Sequence, residues 1–256
     1  MRLIASDLDG TFTLGDPQVR REAVEAWQKA GHRFGSVSGR DLARLPSETE
    51  KMGVDCDFFV ALDGAMITDG KGKVLQTHPC PGQWLEQLLP FLFERGCLFC
   101  NIALEDVKTV FSPKVEPHLP CISLEEGMKL PYFYQISAIF PDDKAAAYGT
   151  QEVLAAFSDQ VNAMQNLYFV DVVIRGMDKA QGIRNLVSLL GIPEENVITA
   201  GDNYNDIAMI EAFDSYAMES GVDALKARAK HTAKDVPDLI RREMNREENC
   251  NETDRQ

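Results

Sequence analysis

Four short apolar runs in this chain each stop at small polar or acidic residues. Leu3-Ile4-Ala5 runs into Asp7-Leu8-Asp9-Gly10-Thr11, Phe34 to Ser38 into Gly39-Arg40, Phe58 to Leu62 into Asp63-Gly64, and Val197 to Ala200 into Gly201-Asp202. Runs this short and this apolar read as strands buried on both faces, the habit of parallel sheets. A helix follows the first: Asp16 caps it, Pro17 suits its first turn, and Val19, Ala23, Ala26, Trp27 and Ala30 recur at helical spacing before Gly31. Strands that alternate with helices or crossovers predict an α/β fold around an open, Rossmann-like parallel sheet. Ligands of such sheets gather at the carboxyl ends of the strands.

The alternation breaks in the middle of the chain. Met66-Ile67-Thr68 and Lys73-Val74-Leu75 read as a hairpin through Asp69-Gly70-Lys71-Gly72. From about Gln83 to Arg175 the pattern gives a helix (Trp84 to Glu94), strands Leu98 to Leu104 and Lys108 to Phe111, and a short helix Leu124 to Met128. A strand Tyr132 to Phe140, a helix Asp142 to Phe157 and two strands between Val161 and Ile174 follow. Most aromatic residues lie here, as the core of an α+β insert. The alternation resumes with a helix Gly182 to Leu190, helices Asn205 to Ala212 and Val222 to Lys230, and short strands Tyr216 to Met218 and His231-Thr232. The expected organisation is residues 1–81 as the first part of a core, 82–177 as the insert, and 178–256 as the second part. Residues from about Arg241 onward carry few apolar side chains and are expected to form a frayed tail.

Charge narrows the partners. The 256 residues hold 26 Lys and Arg against 40 Asp and Glu, a formal charge of −14, with a pI near 4.7. A surface this acidic repels polyanions, which argues against nucleic acid or an anionic membrane, while a small anionic substrate stays possible where a metal reverses the field locally. No run of about 18 apolar residues is present, and Asp7 and Asp9 interrupt any signal-peptide core. A cytoplasmic protein is expected. Six cysteines are too sparse for a disulfide scaffold, and Cys97-Leu98-Phe99-Cys100, without a second pair, reads as apolar strand packing rather than a zinc site. The four histidines show no metal-ligand pairing.

If the strands ending at Asp7 and Asp202 are neighbours, Asp7, Asp9, Asp202 and Asp206 converge. Packed carboxylates raise one another's pKa values and destabilise the fold unless a cation sits among them. Oxygen ligands suit a hard divalent ion, and Mg²⁺ is the default in phosphate chemistry. Gly10 turns the chain sharply after the Asp pair. Ser38-Gly39-Arg40 and Lys179 approach the same edge, giving a site with a metal, a hydroxyl, a lysine and free carboxylates, which suits phosphoryl transfer. The competing roles are structural: turns for Asp7 and Asp9, helix caps for Ser38 and Asp206, an ordinary surface position for Lys179.

Asp7-Leu8-Asp9-Gly10-Thr11, Ser38-Gly39-Arg40, Lys179 and Gly201-Asp202-Asn203-Tyr204-Asn205-Asp206 resemble the four ordered motifs of the haloacid dehalogenase superfamily. The long insert, with Asp63-Gly64-Ala65, Ile192-Pro193-Glu194-Glu195 and Asn205-Asp206-Ile207-Ala208-Met209, is similar to the Cof-type (subclass IIB) branch, whose insert is an α/β cap. The resemblance implies a Mg²⁺-dependent phosphatase acting on a small phosphorylated metabolite, a sugar phosphate first, through an aspartyl-phosphate. It implies Asp7 as nucleophile and Asp9 as general acid and base. Asp7, the backbone carbonyl of Asp9 and Asp202 would hold Mg²⁺, with Asp206 orienting Lys179 or a metal-bound water. Ser38, Gly39, Lys179, Asn205 and the backbone of Leu8 would bind phosphoryl oxygens, and Arg40 would brace the loop or reach the substrate.

Three departures stand out. Cof-type members usually carry Asn where this chain has Asp63, an extra anion expected to favour a polyol or amine over a second phosphate. Met218-Glu219-Ser220-Gly221 and Lys234-Asp235-Val236-Pro237 also depart from the usual stretches, which weakens any substrate carried over. A phosphomutase or phosphotransferase of the same superfamily, or a catalytically silent phosphate-binding regulator, are the alternatives; the oligomeric state is open.

Overall fold

The computed structural model describes residues 1–41 and 45–253, with side chains as far as Glu247 in the last helix. The chain opens with β1 (Leu3–Asp7), α1 (Pro17–Lys29), β2 (Arg33–Val37), α2 (Leu45–Lys51), β3 (Phe58–Ala61) and the hairpin β4 (Met66–Asp69) and β5 (Val74–Thr77). It continues through β6 (Cys80–Pro81), α3 (Leu85–Glu94), β7 (Phe99–Ala103), β8 (Val107–Phe111), α4 (Leu124–Met128) and β9 (Tyr132–Phe133). β10 (Gln135–Ile139), α5 (Asp143–Phe157), β11 (Val161–Asn166) and β12 (Phe169–Ile174) follow. The last part comprises α6 (Lys179–Leu190), β13 (Val197–Gly201), α7 (Ile207–Ala212), β14 (Asp214–Met218), α8 (Asp223–Lys226), β15 (His231–Ala233) and α9 (Val236–Thr253).

An eight-stranded sheet runs in the order β15-β14-β13-β1-β2-β3-β4-β5. Its first six strands are parallel, and the β4–β5 hairpin closes one edge antiparallel. Both faces are covered, so β1 is buried throughout: Ile4 packs with Trp27, Phe34 and Tyr216, whereas Leu3 and Ala5 pack with Ile183, Leu186 and Met209. This is the expected α/β class. The insert builds a separate five-stranded antiparallel sheet, β11-β12-β10-β7-β8. One of its faces is apolar: Cys100, Ile102, Ile136, Ala138, Val170 and Val172 pack beneath α3 and α5 with Leu88, Leu92, Val153 and Phe157.

Several sequence expectations need correction. Tyr132 to Phe140 is two strands: β9 pairs with β6, while β10 joins the larger antiparallel sheet. The helix expected over Val222 to Lys230 shrinks to α8. Cys97 precedes β7, although it does pack beside Cys100, with the two sulfurs 3.6 Å apart.

The expected frayed tail is instead helical as far as Thr253; residues 254–256 lie outside the described residues. Val236, Leu239, Ile240 and Met244 form a helical stripe against the core, and Glu243 occupies the same stripe with no exposed surface. Arg2 Nη2 and Arg246 Nη1 each donate to it at 2.6 Å, and the Tyr216 hydroxyl donates a short hydrogen bond. Burial works against its charge, but the bonds from Tyr216 and Arg2 overcome it and hold the carboxyl below its ordinary value. Stability from Glu243 is therefore present above the unfolded pKa and lost as pH falls through the folded one. Glu243→Ala strands a partly buried arginine and a buried phenol, and urea unfolding at pH 7 should show a loss of about 2 kcal/mol.

Candidate active site

Asp7 ends β1, Ser38 and Asp202 follow β2 and β13, and Asp63 lies two residues past β3, so parallel pairing alone brings them to one sheet edge. The turn after β1 depends on Gly10, whose φ is +76°. A β-carbon there would lie 2.4 Å from Asp202 Oδ2, so the glycine lets the two acidic loops close on each other. Thr11 Oγ1 fixes the contact by donating to Asp202 Oδ1 at 2.8 Å.

Lys179 is fully buried, not an ordinary surface lysine. It opens α6, which Asp178 caps by accepting from the Gln181 N–H at 2.7 Å. Its Nζ donates to Asp7 Oδ1 and to Asp206 Oδ1, both at 2.6 Å. The other oxygen of Asp206 accepts from the N–H groups of Asp202 and Asn203, at 2.9 and 3.1 Å. Asp206 thus caps its turn and aims the lysine at once. Burial works against the Lys179 charge, but Asp206 and Asp7 outweigh it and raise its pKa.

The carboxylates Asp7, Asp202 and Asp206 offer one oxygen each within 4.8 Å of one another. Burial pushes Asp7 well above the ordinary carboxylate range, opposed by Lys179; burial also lifts Asp202 to about 6, with Thr11 opposing and Asp206 reinforcing. One lysine does not neutralise three such groups. Hard oxygen donors with surplus negative charge fit a divalent cation. The side chain of Asp9 lies outside this triad. Arg40 grips it with Nε and Nη2 at 2.7 and 2.9 Å, while Arg40 Nη1 donates to Glu48 at 3.0 Å.

A cavity of about 280 Å³ opens onto Asp7, Asp9, Ser38, Gly39, Asp202 and Asn205. Arg40 lines it as well, whereas the expected site residues Leu8, Lys179 and Asp206 are fully buried and lie outside that lining. Asp63 is set apart: it is fully buried, takes the left-handed φ of +49°, and accepts from Gln135 Nε2 at 2.8 Å. Sequence reasoning missed Gln135, and it missed Asp171 on β12, which lines an adjoining cavity. A carboxylate between Val170 and Val172 in an apolar strand was the available signal.

Burial raises Asp63 to about 6, opposed by Lys179, from an ordinary value of 3.8. A folded pKa above the unfolded one costs stability that appears as pH rises through this interval and is full above it. Asn tolerates the same left-handed backbone. Asp63→Asn should therefore stabilise the protein at pH 8 by about 2–3 kcal/mol and change little near pH 4. Equal gains at both pH values in urea unfolding would remove the ionisation from the explanation.

Comparison with known proteins agrees with this geometry. A family model described as haloacid dehalogenase-like hydrolase matches residues 4–238. The chain is 38% identical to the 5-amino-6-(5-phospho-D-ribitylamino)uracil phosphatase YbjI of Escherichia coli (strain K12), over 91% of this chain and 90% of that protein. It is 27% identical to the pyridoxal phosphate phosphatase YbhA of the same organism, over 89% and 91% of the two chains. Among solved structures, SMU.1108c from Streptococcus mutans UA159 superposes with a TM-score of 0.82 at 19% identity, covering 95% of this chain and 99% of the other. The HAD subclass IIB sugar phosphatase BT4131 gives a TM-score of 0.75 at 21% identity, covering 91% and 93%.

Proposed function

From the premise that this chain belongs to the haloacid dehalogenase-like hydrolases, as a phosphoric monoester hydrolase, we propose that it is a Mg²⁺-dependent phosphatase working through an aspartyl-phosphate on Asp7. The observation that carries the reading is Lys179 Nζ, held at 2.6 Å from both Asp7 and Asp206, in an acidic triad of which Asp7 and Asp202 line a cavity. The substrate is a small phosphorylated metabolite, a sugar phosphate or phosphorylated polyol. YbjI and YbhA, named for phosphorylated small molecules, support that class.

An oxygen of Asp7 attacks phosphorus while the bond to the leaving alcohol breaks, and Asp9 supplies the alcohol's proton. Water then attacks the aspartyl-phosphate, Asp9 takes its proton, and Asp7 is released. Lys179, Ser38, the Gly39 and Leu8 backbone and Asn205 hold the phosphoryl oxygens. Asp7, Asp202 and the backbone carbonyl of Asp9 would hold Mg²⁺, with Asp206 behind Lys179; when bound, the ion neutralises charge on the phosphoryl group. Arg40 holds the Asp9 carboxylate through two bonds, at 2.7 and 2.9 Å, and so sets its position beside the entering leaving group.

The test is inorganic phosphate release from a panel of phosphorylated metabolites, with Mg²⁺ and with EDTA, for wild type and Asp7→Asn. Release that needs both metal and Asp7 is expected. Release that survives EDTA would overturn the metal, and release that survives Asp7→Asn would overturn the nucleophile.

A further inference from the structure

The antiparallel sheet of the insert has two unlike faces. Its apolar face lies under α3 and α5; the opposite face carries a polar row, because Asn101 pairs with Ser137 and Ser137 with Asp171 across three neighbouring strands. Alternation along β12 makes the contrast sharp, with Val170 and Val172 in the core and Asp171 turned away from it. The row and Gln135 line a cavity of about 280 Å³ whose far wall includes Asp9 and Arg40. Asp9, Gly39, Arg40 and Asn166 also line the cavity that holds Asp7. The two spaces therefore adjoin, on the side of the polar row from which a leaving group would extend from a phosphoryl at Asp7.

The charges of this second cavity are one-sided. Asp9 and Asp171 line it, and among its described residues the one cation is Arg40, whose guanidinium is already taken by Asp9 and Glu48. Asp171 is only 4% exposed, and no ion pair reaches it among the described residues. Asp63 lies close by: a β-carbon at Gly39 would sit 2.8 Å from Asp63 Oδ2 and 3.4 Å from Asp171 Oδ2. Burial and then Asp63 push the Asp171 carboxyl upward, with Ser137 opposing. Such a carboxyl gains most from a ligand that brings donors or positive charge, and among the described residues a ligand anion meets no free cation.

Resting on the phosphatase reading, we propose that Asp171 is the specificity-determining residue for the leaving group, selecting one that presents an ammonium or hydroxyl donors to this wall and turning away a second anion. Asp63 stands behind Gly39 and acts on the substrate only through Gln135 and Asp171.

One hexose scaffold tests this with three remote groups: glucosamine 6-phosphate, glucose 6-phosphate and glucose 1,6-bisphosphate. Wild type should rank them in that order by kcat/KM, the bisphosphate at least about tenfold below the amine. In Asp171→Asn that ratio should narrow by at least about tenfold, mainly through KM, and Asp171→Ser should shift it the same way. An unchanged ratio in two folded variants overturns the proposal. The same compounds are also bound to Asp7→Asn and to Asp7→Asn/Asp171→Asn by calorimetry. If wild type turned over no phosphomonoester, the phosphatase reading would fall, while the binding ratios would still decide for or against Asp171.

Discussion

The Asp7→Asn protein is expected to release phosphate at least about 10⁴-fold more slowly than wild type while unfolding at the same or a higher urea concentration. The two halves have one cause. Asp7 is 6% exposed, and burial raises its pKa well above the ordinary value, so its ionised form, the one the proposed nucleophile needs, strains the fold. An amide keeps the oxygen that accepts from Lys179 and removes the charge. A rate loss accompanied by equal destabilisation would instead mark Asp7 as a structural residue.

Lys179→Met should fail in both respects. The ammonium lies between two carboxylates that are buried with it, and methionine leaves them facing each other. Breaking such an arrangement costs about 3–5 kcal/mol, a fall of roughly 10 °C in the unfolding midpoint for a chain of this size, and phosphate release should be lost with it. Mg²⁺ should restore part of the stability, because a cation at the triad supplies charge the lysine no longer gives. A variant as stable as wild type in EDTA would mean that Lys179 is not what neutralises Asp7 and Asp206.

The site was legible in the sequence wherever chemistry coincides with a strand end. Asp7, Ser38 and Asp202 announce themselves because an apolar run stops at each, and parallel pairing does the rest. Asp171 did not, because its partners across the sheet are set by register between distant segments, Ser137 and Asn101. The last helix was hidden for another reason. Counting apolar side chains misses a stripe in which one position is a glutamate satisfied by Arg2, Tyr216 and Arg246. The break between β9 and β10 likewise depends on a tertiary bond, Tyr134 N–H to the Ala103 carbonyl at 2.8 Å.

The pairing of β1 with β13 also dictates when the enzyme comes into being. Leu3 lies opposite Val197, and Arg2 reaches Glu243, so the middle of the principal sheet waits for segments made late in synthesis. The intervening antiparallel sheet draws on residues 99 to 174 and has its own apolar cluster. On a ribosome it can condense first, while β1 stands without β13 beside it. A nascent chain that has emerged only as far as β12 carries Asp7, Asp9 and Asp171 but neither Lys179 nor Asp202. Catalytic competence therefore waits for β13 and the loop that follows it, and a fragment that stops at β12 carries no diluted version of it.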